Sequence, residues 1–216
     1  SGPDSWPQQY EHCGGMQQSP INIDTKSVSY DPDMGAFDFS QFDVSSNSHV
    51  FNITNNGHSG KFISHSNEMY CKGGGLPGEF KTAEFHFHWG SDDSRGSEHG
   101  IDMKNYPLEM HIVHYNTKYG TLTNAKSQPD GLAVLGVMFE ISETDNPNFE
   151  PITSALHNIR REGEREAITN LHISNLLPKN PEMFYRYKGS LTTPPCFESV
   201  TWTIFAVPQK ISSKQV

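Results

Sequence analysis

Glu84-Phe85-His86-Phe87-His88-Trp89-Gly90 and, further along, Glu109-Met110-His111-Ile112-Val113-His114 are the two stretches on which the reading of this chain turns. Both are dense in aromatic and β-branched residues, the composition of strands. Side chains at i and i+2 share one face of a strand. His86 and His88 therefore point together, with Phe85, Phe87 and Trp89 on the opposite face. A neighbouring strand that brings His111 alongside completes a set of three imidazoles. Three neutral imidazoles with an open fourth position are the pattern of a catalytic zinc site, where the metal makes hydroxide from water near neutral pH. Histidines at strand spacing are more often surface residues or satisfied core groups, so the flanking residues matter. Glu109 has the parity of His111, and its carboxylate can accept the ring N–H that the metal does not use, which fixes tautomer and orientation. Glu84 stands in the same relation to His86. Val113 shares the face and can wall a small apolar pocket, whereas His114 has the wrong parity and reads as structural.

Working outward, the rest of the chain reads as mostly β. Short strands are expected around 49–53, 61–65, 79–89, 107–116, 132–141 and 199–207, separated by clusters such as Gly73-Gly74-Gly75-Leu76-Pro77-Gly78 and Gln128-Pro129-Asp130-Gly131. The best helix is 151–162: Pro151 suits a first helical position, and Ile152, Leu156 and Ile159 recur at i, i+4 and i+7. At 216 residues a single domain with a sizeable core is expected, covering 1–216. Sixteen basic residues against 25 acidic ones give a net charge of −9, which argues against nucleic acid as a partner. No apolar run approaches the roughly 20 residues of a membrane span.

Six segments now fit one family. Gln18-Ser19-Pro20-Ile21-Asn22-Ile23, Asn55-Asn56-Gly57-His58, the Glu84–Gly90 stretch, Gly96-Ser97-Glu98-His99, the Glu109–His114 stretch and Ser190-Leu191-Thr192-Thr193-Pro194-Pro195-Cys196 occur in that order. Together they closely resemble the animal-type (α-class) carbonic anhydrases, from about Trp6 to the last residue. The resemblance implies an α+β fold that is mostly β: a large, twisted, mixed but largely antiparallel central sheet, short peripheral helices, and a zinc site in a central conical cleft. It implies reversible hydration of carbon dioxide to bicarbonate and a proton by attack of zinc-bound hydroxide, with Zn2+ held by His86, His88 and His111. Thr192 matches the residue that accepts the hydroxide's hydrogen bond, and Glu98 the carboxylate that takes the threonine proton. His58 matches the proton shuttle, for which an imidazole of ordinary pKa near 6.5 is suited. Val113, Val134, Leu191, Val200 and Trp202 match the apolar wall that holds carbon dioxide, and Thr193 a polar position near bicarbonate. Sulfonamides and small anions are the inhibitors to expect, and a monomer or weak dimer the assembly.

Two departures stand out. Glu84 occupies a position where many family members carry glutamine, and a carboxylate there is a stronger acceptor from His86 that makes zinc less acidic. The family domain also continues past the point matching Val216. Ser212-Ser213-Lys214-Gln215 has the form of a helix-start capping box, which leads us to expect a chain truncated at its C-terminus. The missing part would supply a backbone carbonyl to His88, and its loss is the one route to the alternative reading, a non-catalytic binding or adhesion module. Of the three cysteines, Cys13 and Cys196 match the disulfide of secreted and membrane-anchored members, leaving Cys71 free. Such a long loop is worth roughly 4–5 kcal/mol in the chain-entropy picture. Asn52-Ile53-Thr54 is an N-glycosylation sequon; with the cysteine pair it points to an extracellular setting, secreted or anchored to the outer cell surface.

Overall fold

The computed structural model describes residues 2–42, 50–55, 60–65, 69–169 and 171–216. In chain order its strands are β1 (Asn22–Ile23), β2 (Phe37–Asp38), β3 (Phe51–Asn55), β4 (Gly60–Ser64), β5 (Tyr70–Gly73), β6 (Phe80–Trp89), β7 (Gly100–Ile101), β8 (Leu108–Asn116), β9 (Leu132–Ser142), β10 (Arg165–Ile168), β11 (Phe184–Gly189), β12 (Val200–Phe205) and β13 (Gln209–Ser212). Two short helices, α1 (Leu122–Ala125) and α2 (Glu150–Asn158), and several 3-10 turns lie around them. Eleven strands form one open sheet along the path β10-β3-β4-β6-β8-β9-β12-β11, with β5 also on β6, β2 on β5 and β13 on β9. Within it only the pairings of β9 with β12 and with β13 are parallel, so the sheet is mixed and largely antiparallel, as expected.

The two histidine-bearing strands, β6 and β8, lie side by side in the middle of this path. One face of the sheet carries the main core: Phe85 and Phe87 from β6, Met110 and Ile112 from β8, Leu135, Val137 and Phe139 from β9, closed by α2 through Ile152 and Ala155. Phe62 of β4 stacks on Phe85 with ring centroids 4.3 Å apart. The other face carries a smaller apolar cluster built on Val113, Val134, Val200, Trp202 and Ile204. Strand β6 does not keep one parity along its length. Its register against β8 shifts between Thr82 and Glu84, so Ala83 is the extra residue of a bulge. Before it, Thr82 stands opposite His114; after it, Glu84 stands opposite Val113. The bulge is what turns Glu84, His86 and His88 onto the face shared by Glu109, His111 and Val113.

Several expectations are corrected. The helix ends at Asn158 rather than 162, and Leu156 is 40% exposed. Ile159 leaves the helix at φ −116° and ψ 54° and is buried from there, its carbonyl taken by the side-chain amide of Asn55. Trp89 has core-side parity but stands at the end of β6 and is 52% exposed. Apart from these corrections, the Ser212–Gln215 segment leads off the end of β13. It is a turn in which the Gln215 side chain accepts from the backbone N–H of Asn146 and donates to its carbonyl, pinning the loop beside α2. The strands that the sequence pattern misses include β10 and β11, which end the main path at its two edges and carry Arg165, Glu166, Arg186 and Lys188 in place of apolar alternation.

Candidate metal centre

The antiparallel register of β6 and β8 sets His86 directly opposite His111, and His88 opposite Glu109. The ring centroids of His86 and His88 are 5.0 Å apart, those of His86 and His111 5.3 Å, and those of His88 and His111 4.6 Å. One nitrogen from each ring falls in a cluster whose members all lie within 4.8 Å of one another. Gly136 of β9 opposes His111 on its other side. A Cβ there would stand 2.6 Å from Cδ1 of Ile204, so any other residue needs that side chain to shift, and would be in ordinary contact with Glu109 Oε1 at 3.5 Å.

Two of the rings are hydrogen-bonded to an acid, and the third lies close to one. Nδ1 of His86 lies 3.0 Å from Oε2 of Glu84, and Nε2 of His111 lies 2.6 Å from Oε1 of Glu109. Nδ1 of His88 is 3.4 Å from Oε1 of Glu98. That leaves Nε2 of His86, Nε2 of His88 and Nδ1 of His111 for a common ligand. Nε2 of His88 is buried with no hydrogen-bond partner, a costly state for a polar atom unless something else occupies it. Burial, with His111 and His86 beside it, pushes His88 down to about 3, so it is a neutral base at pH 7. Three converging imidazole nitrogens, one of them buried without a partner, are a donor set that fits Zn2+.

Burial alone would raise the carboxyl of Glu109, but the adjacent His111 and His99 outweigh it and hold it well below the usual range. At Glu84 burial also opposes ionisation, and His86, then Lys61 at 3.3 Å, tip the balance downward. Glu98 goes the other way: burial raises it, against His111 and a hydrogen bond from Thr192. Thr192 sits in a loop anchored from both sides. Ser190 donates its N–H to Ser19 Oγ, the Ser19 N–H returns to Ser190 Oγ, and Trp202 Nε1 donates to the Ser190 carbonyl. A Cys13–Cys196 disulfide, spanning 183 residues of sequence, ties the N-terminal segment to the same loop. Gln17 and Gln18 add hydrogen bonds to Glu198 from that segment.

These groups open into a cleft of about 680 Å³. Val113, Val134, Leu191 and Trp202 form its apolar side, and Thr192 and Thr193 its polar side. Val200, expected in the apolar wall, does not line the cleft but is buried in the cluster behind it, against its strand neighbours. His58 lies outside the described residues. Asn52 is half-buried within β3, which is paired on both sides, and its amide lies 2.8 Å from Nε2 of His65, so the sequon sits in the sheet rather than in a loop. Cys71 is a buried free thiol, pushed up to about 12 by burial. His114 is buried, bonded through Nδ1 to the Ala133 carbonyl and stacked on Phe42.

The sequence reading missed the role of His99. This fully buried ring puts Nδ1 2.7 Å from Oε1 of Glu109 and Nε2 2.6 Å from the Tyr187 hydroxyl, which reaches on to Ser19. Its backbone N–H also donates to Glu109. Its place next to Glu98 was the available signal; the partner carboxylate ten positions away was not visible without the fold.

The model of the eukaryotic-type carbonic anhydrase family matches residues 1–216. Carbonic anhydrase 12 of Homo sapiens is 37% identical over 217 residues, covering 100% of this chain and 60% of the human protein. Carbonic anhydrase 6 of Mus musculus is 41% identical over 218 residues, covering 100% of this chain and 68% of the mouse protein. The chain thus spans about three fifths to two thirds of the length of these relatives.

Proposed function

Because the chain belongs to the eukaryotic-type carbonic anhydrase family, we propose that it is a zinc enzyme that hydrates carbon dioxide reversibly to bicarbonate and a proton. The observation that carries this reading is the convergence of three imidazole nitrogens whose opposite ring nitrogens all face carboxylates. In it His86, His88 and His111 hold the metal, and Glu84 and Glu109 fix two of the rings. Bound zinc supplies Lewis-acid chemistry that makes water ionise near neutral pH.

The protein's own groups do the rest. Thr192 donates its hydroxyl hydrogen bond to Glu98, so its oxygen is left to accept from the attacking oxygen's O–H. That aims a lone pair at the substrate and pays the orientational part of the barrier in advance. Carbon dioxide has no charge and no hydrogen to donate, so the apolar side formed by Val113, Val134, Leu191 and Trp202 is a suitable berth. Thr193 stands near the bicarbonate that forms. His58 takes the released proton and hands it to buffer. Anions and deprotonated sulfonamides are expected to compete for the metal's open position. The disulfide supports an extracellular location, since such bonds persist in oxidising compartments.

The test is stopped-flow carbon dioxide hydration on protein whose zinc has been quantified. One zinc per chain and hydration abolished by chelation and restored by zinc are expected. A protein that takes up no zinc at these histidines, or that is fully loaded and inactive, overturns the reading.

A further inference from the structure

Strand β4 runs antiparallel beside β6, with Phe62 opposite Phe85 and Ile63 opposite Glu84. Opposite residues share a face, and Phe62 and Phe85 are in the core. Ile63 and Glu84 therefore face the cleft side, and Lys61, two residues before Ile63, joins them. The diagonal from Lys61 to Glu84 is within reach of a long side chain. Nζ of Lys61 lies 3.3 Å from Oε1 of Glu84, while the second oxygen of the same carboxylate lies 3.0 Å from Nδ1 of His86. Lys61 lines the cleft with its side chain about half exposed; Glu84 is buried. Among the described residues no other cation pairs with Glu84.

We propose that Lys61 is a positioning residue for the metal centre, holding Glu84 by one oxygen so that the other takes the Nδ1–H of His86 and leaves Nε2 of that ring aimed at its two partners. A carboxylate bound only by the imidazole is free to swing about its last torsion; one clamped at both oxygens is not. The ammonium also balances the negative charge that Glu84 brings close to the histidines, which a glutamine would not bring. This assignment rests on the zinc reading above for its purpose, but its geometry stands in the metal-free protein.

The experiment follows Lys61→Met, Lys61→Arg, Glu84→Gln and the double variant Lys61→Met with Glu84→Gln. Two readouts are taken: the zinc dissociation constant by chelator competition, and the Nδ1–H tautomer population of His86 in metal-free protein by imidazole ¹⁵N NMR. Loss of an outer partner of a ligand histidine typically weakens metal binding 10–100-fold, and Lys61 stands one step further out. Lys61→Met is expected to weaken zinc binding about 3–10-fold and lower the Nδ1–H population of His86, with Lys61→Arg restoring both. In the Glu84→Gln background the same substitution should change neither. Unchanged or tighter zinc binding in Lys61→Met, or an equal loss with and without Glu84, overturns the proposal. If the wild-type protein binds no zinc, the functional reading fails, and the NMR readout still decides the role of Lys61.

Discussion

Replacing Glu109 with glutamine tests the centre at its most constrained point. The carboxylate is fully buried and accepts three hydrogen bonds: 2.9 Å from the backbone N–H of His99, 2.7 Å from His99 Nδ1 and 2.6 Å from His111 Nε2. Glutamine has the same shape but one accepting oxygen. If that oxygen faces the two imidazoles, the new NH2 meets the His99 N–H, donor against donor. If it flips, the NH2 meets the rings, and His111 is driven toward the tautomer that protonates its metal-facing Nδ1. A buried donor left unpaired costs about 1–3 kcal/mol, and breaking a buried charged network about 3–5 kcal/mol. We expect a loss of about 2–3 kcal/mol, which for a domain of this size is a fall in Tm of about 4–12 °C. Calorimetry on metal-free protein keeps loss of zinc out of the measurement. The pH dependence has a defined sign. Glu109 is depressed in the fold, so its contribution is complete above the unfolded carboxyl pKa of about 4.3 and is lost as pH falls from there through the folded value. The gap between wild type and variant should be constant from neutral pH down to that point and narrow below it. Zinc binding should weaken about 10–100-fold. A Tm within about 1 °C of wild type, against the several degrees expected, would refute the claim that these three hydrogen bonds hold the centre together.

Glu84→Gln should lower the pH midpoint of hydration by about a few tenths of a unit to one unit at equal zinc content, because an amide donates less electron density through His86; an unchanged or higher midpoint counts against this. Thr192→Ala should cut kcat/KM by about 10–100-fold with zinc affinity intact, since it disorients the attacking oxygen; a loss that appears only as zinc depletion would point to a structural role instead. His58→Ala should slow turnover in dilute buffer and recover on addition of imidazole, because only proton export is lost; no change in dilute buffer moves the shuttle elsewhere, with His65 the next residue to test. Peptide mapping without reduction should recover Cys13 linked to Cys196, and Cys71, buried and pushed up to about 12, should react with alkylating agents only after unfolding.

The centre was legible because two strands encode it locally. His86 and His88 need only the two-residue period, and Glu109 and His111 need only the same period on the next strand. What joins them is the pairing of β6 with β8, the next strand of the main sheet along the chain, with only the two-residue β7 of the small sheet between. A two-residue period does not run unbroken through 79–89. The bulge at Ala83 means that Phe80 and Thr82 sit on the core side with even numbers, while Phe85 and Phe87 sit there with odd ones. A bulge is a tertiary choice, and nothing in Lys81-Thr82-Ala83-Glu84 announces it. The edge strands β10 and β11 were missed because they are short and mix Arg165, Glu166, Arg186 and Lys188 with their apolar residues, so neither shows a regular apolar period.

Residues that act on the centre from a distance in sequence are a different matter. Lys61 and Glu84 are joined by a diagonal across two strands, and His99 and Tyr187 by a contact between a loop and an edge strand. No spacing rule connects such pairs, because the separation depends on how the sheet is ordered rather than on a helical or strand period. Glu84 illustrates what that omission costs. Taken from the sequence alone, it is a bare carboxylate whose charge should raise the pKa of the metal's water. In the fold it is one arm of an ion pair with Lys61, and part of its charge is already spoken for. The Glu84→Gln effect should therefore be larger when Lys61 is also replaced by methionine than when it is present. An ion pair screened by half-exposed Lys61 is a partial balance, so the difference should be a fraction of a pH unit rather than a reversal. Equal shifts in the two backgrounds would mean that the ammonium does not reach the metal centre's electrostatics, whatever it does for the orientation of His86.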